Sequence, residues 1–273
     1  MSAVPSKLLT LVVDSTDNLL SLLDNVQNAY TSVPHLYLDL EGVDLSRHGS
    51  ISILTLYIFP LRTVYIIDVL RLGEAAFTTT NADGISLRTI LEAPRVKKVM
   101  FDVRDDSEAL FNHYHISLDG VEDLQLMELA TRKYSRKYVS SLAKCIEEDS
   151  PIPAAEKAEW KRQKEKMHLL FSHSHGGRRE IFNERPLRPE IIQNCANDVD
   201  LLPGLYNVYC NKLSIPWEVK VQNATDDRIK LSQSPDYNPN GRDKALGPWN
   251  DNQRRFNFHE WLDDIDVYGY EFM

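Results

Sequence analysis

The hydrophobic pattern changes its period several times along the chain. Residues 15–29 carry leucines at helical spacing behind a capping serine, which predicts an amphipathic helix. The stretch His35-Leu-Tyr-Leu-Asp-Leu-Glu-Gly42 then alternates with period two, which predicts a strand over 35–41. Residues 51–59 and 63–69 are rich in β-branched and aromatic side chains, and Pro60-Leu-Arg62 between them suits a hairpin. A short helix over 86–93, a strand over 96–101 and a helix opening with acids at Asp105 follow, then helical segments over 123–134 and 138–147. This order predicts an α/β fold with a mixed sheet of about five strands flanked by helices.

Farther on, 155–167 reads as a strongly charged helix, followed by a loop with Gly176-Gly177-Arg178-Arg179 and the punctuation Arg185-Pro-Leu-Arg-Pro189. One helix is expected from Glu190 to Val208, with Ile191, Cys195, Val199 and Leu202 on its apolar side. From Asp226 to Trp249 the chain is polar and rich in Pro, Gly and Asn. The expectation is one domain over 1–215 and a polar C-terminal extension over 216–273, wrapping the domain or partly disordered.

Composition narrows the class. With 42% hydrophobic and 26% charged residues the chain is ordinary for a globular protein, and no apolar run approaches the length that spans a bilayer. The start lacks a basic segment and a small-residue cleavage site, and Cys145, Cys195 and Cys210 have no metal-ligand spacing. An intracellular protein, cytoplasmic or nuclear, is expected, without a membrane partner. A net charge of −9 argues against a general polyanion binder, yet carboxylates that hold cations add negative charge where a phosphate binds.

Those carboxylates are visible. Asp39 and Glu41 share one face of a strand that buries its other residues, a costly placement unless a cation or partner holds them. Asp106 lies at the start of a helix, and Asp198 sits within the helix 190–208. Four acids from a strand and two helices could hold two Mg²⁺ or Mn²⁺ ions, which prefer oxygen ligands. The plainer alternative is a set of helix-first-turn acids and surface charges.

At these residues the chain resembles the DEDD superfamily of 3′-5′ exonucleases, of the ribonuclease D type. Asp39-Leu-Glu41 is similar to the first motif, Lys97 to Phe111 with Asp106 to the second, and Arg185-Pro-Leu followed by Cys195-Ala-Asn-Asp198 to the third. The Gly176-Gly177 loop, Leu231-Ser-Gln-Ser-Pro235 and Pro248-Trp249 are similar to stretches in exonuclease-domain proteins of filamentous fungi. The resemblance spans roughly 15–215 and implies a ribonuclease H-like fold. It also implies that Asp39, Glu41, Asp106 and Asp198 hold two ions and that RNA or single-stranded DNA is shortened from its 3′ end to nucleoside monophosphates.

The family pattern is broken in two places that matter, at residues 193–194 and at Phe101-Asp102, where many members carry a histidine or a small polar residue. A tyrosine four residues before the last aspartate, or a histidine five before it, orients the attacking water in the family; here those positions hold Asn194 and Gln193. An amide has no useful pKa and cannot act as a general base. Asn194 lies one helical turn before Asp198, so it is the candidate for orienting a water. Asp102 and Asp105 compete with Asp106 for the second-motif position. For nucleic-acid contact the candidates are Lys161, Arg162, Arg178, Arg179, His173 and His175. A zinc site at the histidines lacks further ligands at finger spacing. Tyr206 and Tyr209 lie beyond Asp198 and read as core residues. The competing expectation is a catalytically weak or silent nucleic-acid-binding or scaffold protein on the same fold.

Overall fold

The computed structural model describes residues 8–29, 36–171 and 176–249. Six strands form one sheet: β1 Leu9–Val13, β2 Leu36–Glu41, β3 Ile53–Ile58, β4 Thr63–Asp68, β5 Lys98–Met100 and β6 Val121–Asp123. Their spatial order is β1-β4-β3-β2-β5-β6. β3 runs antiparallel to β2 and β4, while β1–β4, β2–β5 and β5–β6 are parallel pairs. The expected hairpin is present, its turn closed by Arg62 in the left-handed region at φ 49°. Strands β2 to β5 fall where the sequence pattern places strands, and the sheet reaches six because Leu9–Val13 and Val121–Asp123, neither of them expected as strands, pair at its two edges.

The helices are α1 Thr16–Asn28, α2 Val69–Leu72, α3 Ala75–Thr78, α4 Leu87–Glu92, α5 Arg104–Tyr114, α6 Leu124–Thr131, α7 Leu142–Asp149, α8 Ala154–Phe171, α9 Pro189–Asp200, α10 Leu202–Cys210 and α11 Ile215–Gln233. They cover both faces of the sheet. Leu36, Leu38 and Leu40 of β2 join a core with Leu19, Leu22 and Leu23 of α1. Tyr37, Ile53 and Tyr57 join a second core with Leu126 of α6, Val199 of α9 and Leu205 of α10. Since strand side chains alternate, Asp39 and Glu41 fall on the Tyr37 face, against α9.

Two differences from the sequence pattern have local causes. The single helix expected over 190–208 is divided at Leu201, because Pro203 has no N–H to bond the carbonyl of Val199. The polar run from Asp226 is helical as far as Gln233, since Ala224, Thr225, Arg228, Ile229 and Ser232 of α11 are buried. Helix α11 packs on α5 and β6.

Asp123, fully buried at the end of β6, ties these parts together. Its carboxylate accepts from the backbone N–H groups of Asp102 at 3.0 Å, Val103 at 3.3 Å and Gln125 at 3.0 Å, and from Arg228 of α11 at 2.6 Å. Those bonds set the entry of α5 and the start of α6 at once. Removing one member of a buried ion pair leaves the other charge without a partner, which costs about 3–5 kcal/mol. Arg228→Ala is therefore expected to lower stability by about that amount in urea unfolding; an unchanged midpoint would show that Asp123 is served without α11.

Candidate active site

The alternation of β2 sends Asp39 and Glu41 toward α9, whose inward face carries Asn194 and Asp198 one turn apart. Among the described residues, Asp39, Glu41 and Asp198 form the group of acids whose ligand oxygens all lie within 4.8 Å of one another. Asp106 stands outside that group. It is buried in the first turn of α5, and its carboxyl is pushed well up by burial and by the charges of Asp39, Asp105, Asp102 and Glu41. Its two rivals for the register are engaged by cations. Asp102 is paired bidentately with Arg104 at 2.6 and 2.7 Å, and Asp105 is paired with Lys244. The charges of Asp39 and Glu41 both act on Asp106.

Like charges this close resist ionisation. Burial, then the charge of Asp198, pushes Asp39 up to about 7, and Lys164 opposes the shift. Glu41 is driven well upward by burial and by Asp39 and Asp198, again opposed by Lys164. Lys164 is legible in the sequence only as part of the basic run 161–166, suited to a nucleic-acid backbone, and not as a neighbour of the acids. On α8 its ammonium forms an ion pair with Asp198 and donates to Asn194 Oδ1 at 2.9 Å. Burial alone would lower its pKa, but Asp198, Glu41 and Asp39 raise it, so it is held as a cation. A signal for it was present: Trp160, Lys164, Met167 and Phe171 recur at helical spacing, with Trp160 and Met167 buried. A lysine on an otherwise apolar stripe faces inward.

Asn194 is committed at both ends. Its Nδ2 donates to Asp198 Oδ2 at 3.1 Å and to Glu41 Oε1 at 3.5 Å, while Oδ1 accepts from Lys164. Gln193 points away, exposed, and donates to Asn197 at 2.7 Å. Tyr209 is buried and donates to Asp149 at 3.0 Å, and Tyr206 stands edge-on to Tyr37 at 6.4 Å, so neither reaches the acids.

A cleft of about 650 Å³ opens beside Glu41, lined by Asp44, His48, Phe171, Arg179, Phe182 and Asn240 among others. The rings of Phe171 and Phe182 lie 6.0 Å apart and make an apolar wall. Arg179, at its rim, pairs with Asp44 at 2.5 Å. The other basic candidates are spread out: Arg178 pairs with Glu184 at 2.5 Å, Arg162 pairs with Glu159 on the exposed side of α8, and Lys161 is exposed there. His173 and His175 lie outside the described residues. The three cysteines are free, with Cys145 and Cys195 buried. No helix among the described residues is long and apolar enough to cross a membrane.

A family model for 3′-5′ exonucleases matches residues 12–213. The chain belongs to the 3′-5′ exonuclease family. Its sheet and helices are those of the ribonuclease D-like members of that family. Ribonuclease D of Trypanosoma brucei, solved as a GMP complex, aligns at TM-score 0.69 and 21% identity, covering 93% of this chain and 71% of that one. Escherichia coli ribonuclease D aligns at TM-score 0.58 and 18% identity, covering 82% of this chain and 50% of that one. The piRNA biogenesis protein EXD1 of mouse is 32% identical over 106 residues, which is 39% of this chain and 17% of that protein. The human EXD1 protein matches at the same identity over 19% of its length, so the chain spans under a fifth of these curated relatives.

Divalent-metal dependence is a property of the exonuclease family, and the donor set here fits it. Three carboxylates within 4.8 Å offer the hard oxygen ligands that Mg²⁺ or Mn²⁺ takes, and a lysine ammonium already sits against one of them as a cation. Lys164 and a divalent ion would repel each other at this range. Lys164→Met is expected to tighten Mn²⁺ binding by about tenfold or more in calorimetric titration; equal affinities would show that the ammonium leaves the acids in solution.

Proposed function

We propose that the chain is a metal-dependent 3′-5′ exonuclease of the DEDD type, acting on RNA or single-stranded DNA and releasing nucleoside monophosphates. The observation that carries this reading is the convergence of Asp39, Glu41 and Asp198 beside an open cleft, within a chain of the exonuclease family. Asp39, Glu41, Asp106 and Asp198 would hold two Mg²⁺ or Mn²⁺ ions. Such ions, when bound, activate a water and stabilise the leaving oxygen of a phosphodiester. The chain's own residues do the rest: the Phe171–Phe182 wall receives a terminal base, Arg179 meets a phosphate at the rim, and Asn194 orients a water without taking its proton. The RNA-bound form of Trypanosoma brucei ribonuclease D, similar in fold at TM-score 0.68, agrees with a single strand in this cleft.

One observation favours a second reading, a catalytically weak or silent nucleic-acid-binding or scaffold protein. Asn194 occupies the place of the family's tyrosine, and its amide is engaged by Asp198, Glu41 and Lys164. Losing a general base costs on the order of 10² to 10⁴ in rate.

Purified protein incubated with 3′- and 5′-labelled RNA and DNA strands in Mg²⁺, Mn²⁺ or EDTA separates the two. Stepwise shortening from the 3′ end is expected, stopped by EDTA and lowered at least roughly 10²-fold in Asp39→Ala. Intact strands that still shift on a gel would favour the binding protein. If the missing base limits the rate, Asn194→Tyr should accelerate shortening by on the order of 10²; a rate no better than the parent's would place the limit elsewhere.

A further inference from the structure

The triplet Arg-Lys-Tyr occurs twice in succession, at 132–134 and 136–138, with Ser135 between. The two copies are mounted alike. Each arginine turns inward. Arg132 donates to Glu128 at 2.8 Å and to the carbonyls of Ser135 at 3.2 Å and Tyr138 at 2.7 Å. Arg136 donates to the carbonyls of Leu129 at 3.1 Å, Ala130 at 2.9 Å and Arg132 at 3.0 Å, and lies over the Trp217 ring. Each tyrosine turns outward: Tyr134 is 49% exposed and Tyr138 54%. Lys133 and Lys137 are exposed beside them, with Lys137 Nζ 5.2 Å from the Tyr138 ring and Lys144 Nζ 5.7 Å from the Tyr134 ring.

This arrangement is specific in what it offers. Buried Arg132 and half-buried Arg136 fix the loop from below, and the C-terminal segment fixes it from the side, where Val139 N–H donates to Ala245 and Gly247 N–H to Lys137. Two large rings are thus held half in solvent with cations around them, on a chain whose net charge is −9. Arg132 lies 4.9 Å from the Tyr134 ring, whose hydroxyl donates to Glu148 at 3.5 Å. The other side of that ring and the Tyr138 ring are left to a base. A ring face stacks a nucleobase of any sequence, and a neighbouring ammonium takes the phosphate beside it. Bases of a duplex are already stacked on each other, so this chemistry selects a single strand. The cleft is close along the chain: Leu246, bridged to Tyr138, lies six residues beyond Asn240 of the cleft wall, a reach of at most about 20 Å.

We propose that Tyr134 and Tyr138, with Lys133, Lys137 and Lys144, form a second contact for single-stranded nucleic acid, outside the cleft. The proposal rests on the reading of this chain as a nuclease or single-strand binder. It holds the strand behind its 3′ end, so that affinity grows with strand length while chemistry at the end is unaffected.

Fluorescence anisotropy with the full chain in EDTA tests it, using labelled 12-nucleotide RNA, the matching DNA and a duplex. Tyr134→Ala with Tyr138→Ala is expected to weaken single-strand binding by about tenfold or more, while the two Phe substitutions preserve it. Lys133→Gln with Lys137→Gln should reduce the salt dependence of log affinity by about 1.4. Shortening of a dinucleotide in Mg²⁺ should be the same in all these variants. Equal losses on RNA and DNA identify stacking as the shared chemistry, and a loss on RNA alone adds sugar recognition at the same rings. Parent-like affinity in the alanine variant, or a preference for duplex, overturns the proposal even if the protein shortens strands. If the parent chain binds no single strand, this contact is overturned, while 3′ shortening in Mg²⁺ decides the nuclease reading separately.

Discussion

Repulsion among the carboxylates at the end of β2 is the constraint around which this structure is arranged. Asp39, Glu41 and Asp198 lie close enough to share a cation, with buried Asp106 close by, and burial makes each charge more expensive. Such a cluster is maintained only where its surroundings answer it. Lys164 supplies one positive charge, and the Asn194 amide bridges Asp198 and Glu41. The acids nearby that would deepen the repulsion are neutralised elsewhere: Asp102 by Arg104, Asp105 by Lys244, Glu108 by Arg47 and Asp123 by Arg228. The centre therefore keeps a surplus of negative charge of a kind suited to divalent ions, without spreading it along α5.

Two of those neutralising groups, Arg228 and Lys244, come from the chain beyond the stretch matched by the exonuclease family model, and a third, Arg47, is held by that later part. Arg228 belongs to α11, and Arg47 donates to the carbonyls of Ser232, Ser234 and Pro235 at 2.9, 2.9 and 3.2 Å. Lys244 reaches back to Asp105, and Asn240 lines the cleft. The segment after α10 thus does two jobs. It completes the electrostatics of α5, and it forms one wall of the cleft beside Glu41.

A net-acidic chain can still present local basic surfaces because its cations are sorted by place. Positive side chains that the acids require are turned inward, as with Lys164, Arg104 and Arg228. Others serve as mounts, as with Arg132 and Arg136. The lysines left in solvent are displayed at places the backbone has fixed, and local placement rather than net charge decides what a phosphate meets.

How much of this could be read from the chain alone varied with the range of the interaction. The strand at 36–41, the hairpin and the helices over 86–93 and 105–113 follow from period, capping and β-propensity, which act over a few residues, whereas Asp106 and Asp198 stood out through the family resemblance. Because a strand alternates, the sequence by itself also determined that Asp39 and Glu41 share a face. It did not reveal β6, whose three residues carry too little pattern and gain their strand geometry from pairing with β5. Nor did it reveal that α11 continues through a polar run, because the burial that holds it comes from α5 and β6. The tertiary structure alone decided that Asp198 joins Asp39 and Glu41, that Asp105 is claimed by another cation, and that Lys164 faces the acids rather than solvent. Charge–charge interaction falls off over a few ångströms, and only tertiary packing brings Asp198 to Asp39 and Glu41, Lys164 to the acids and Lys244 to Asp105, whereas Asp102 finds Arg104 two residues along the chain.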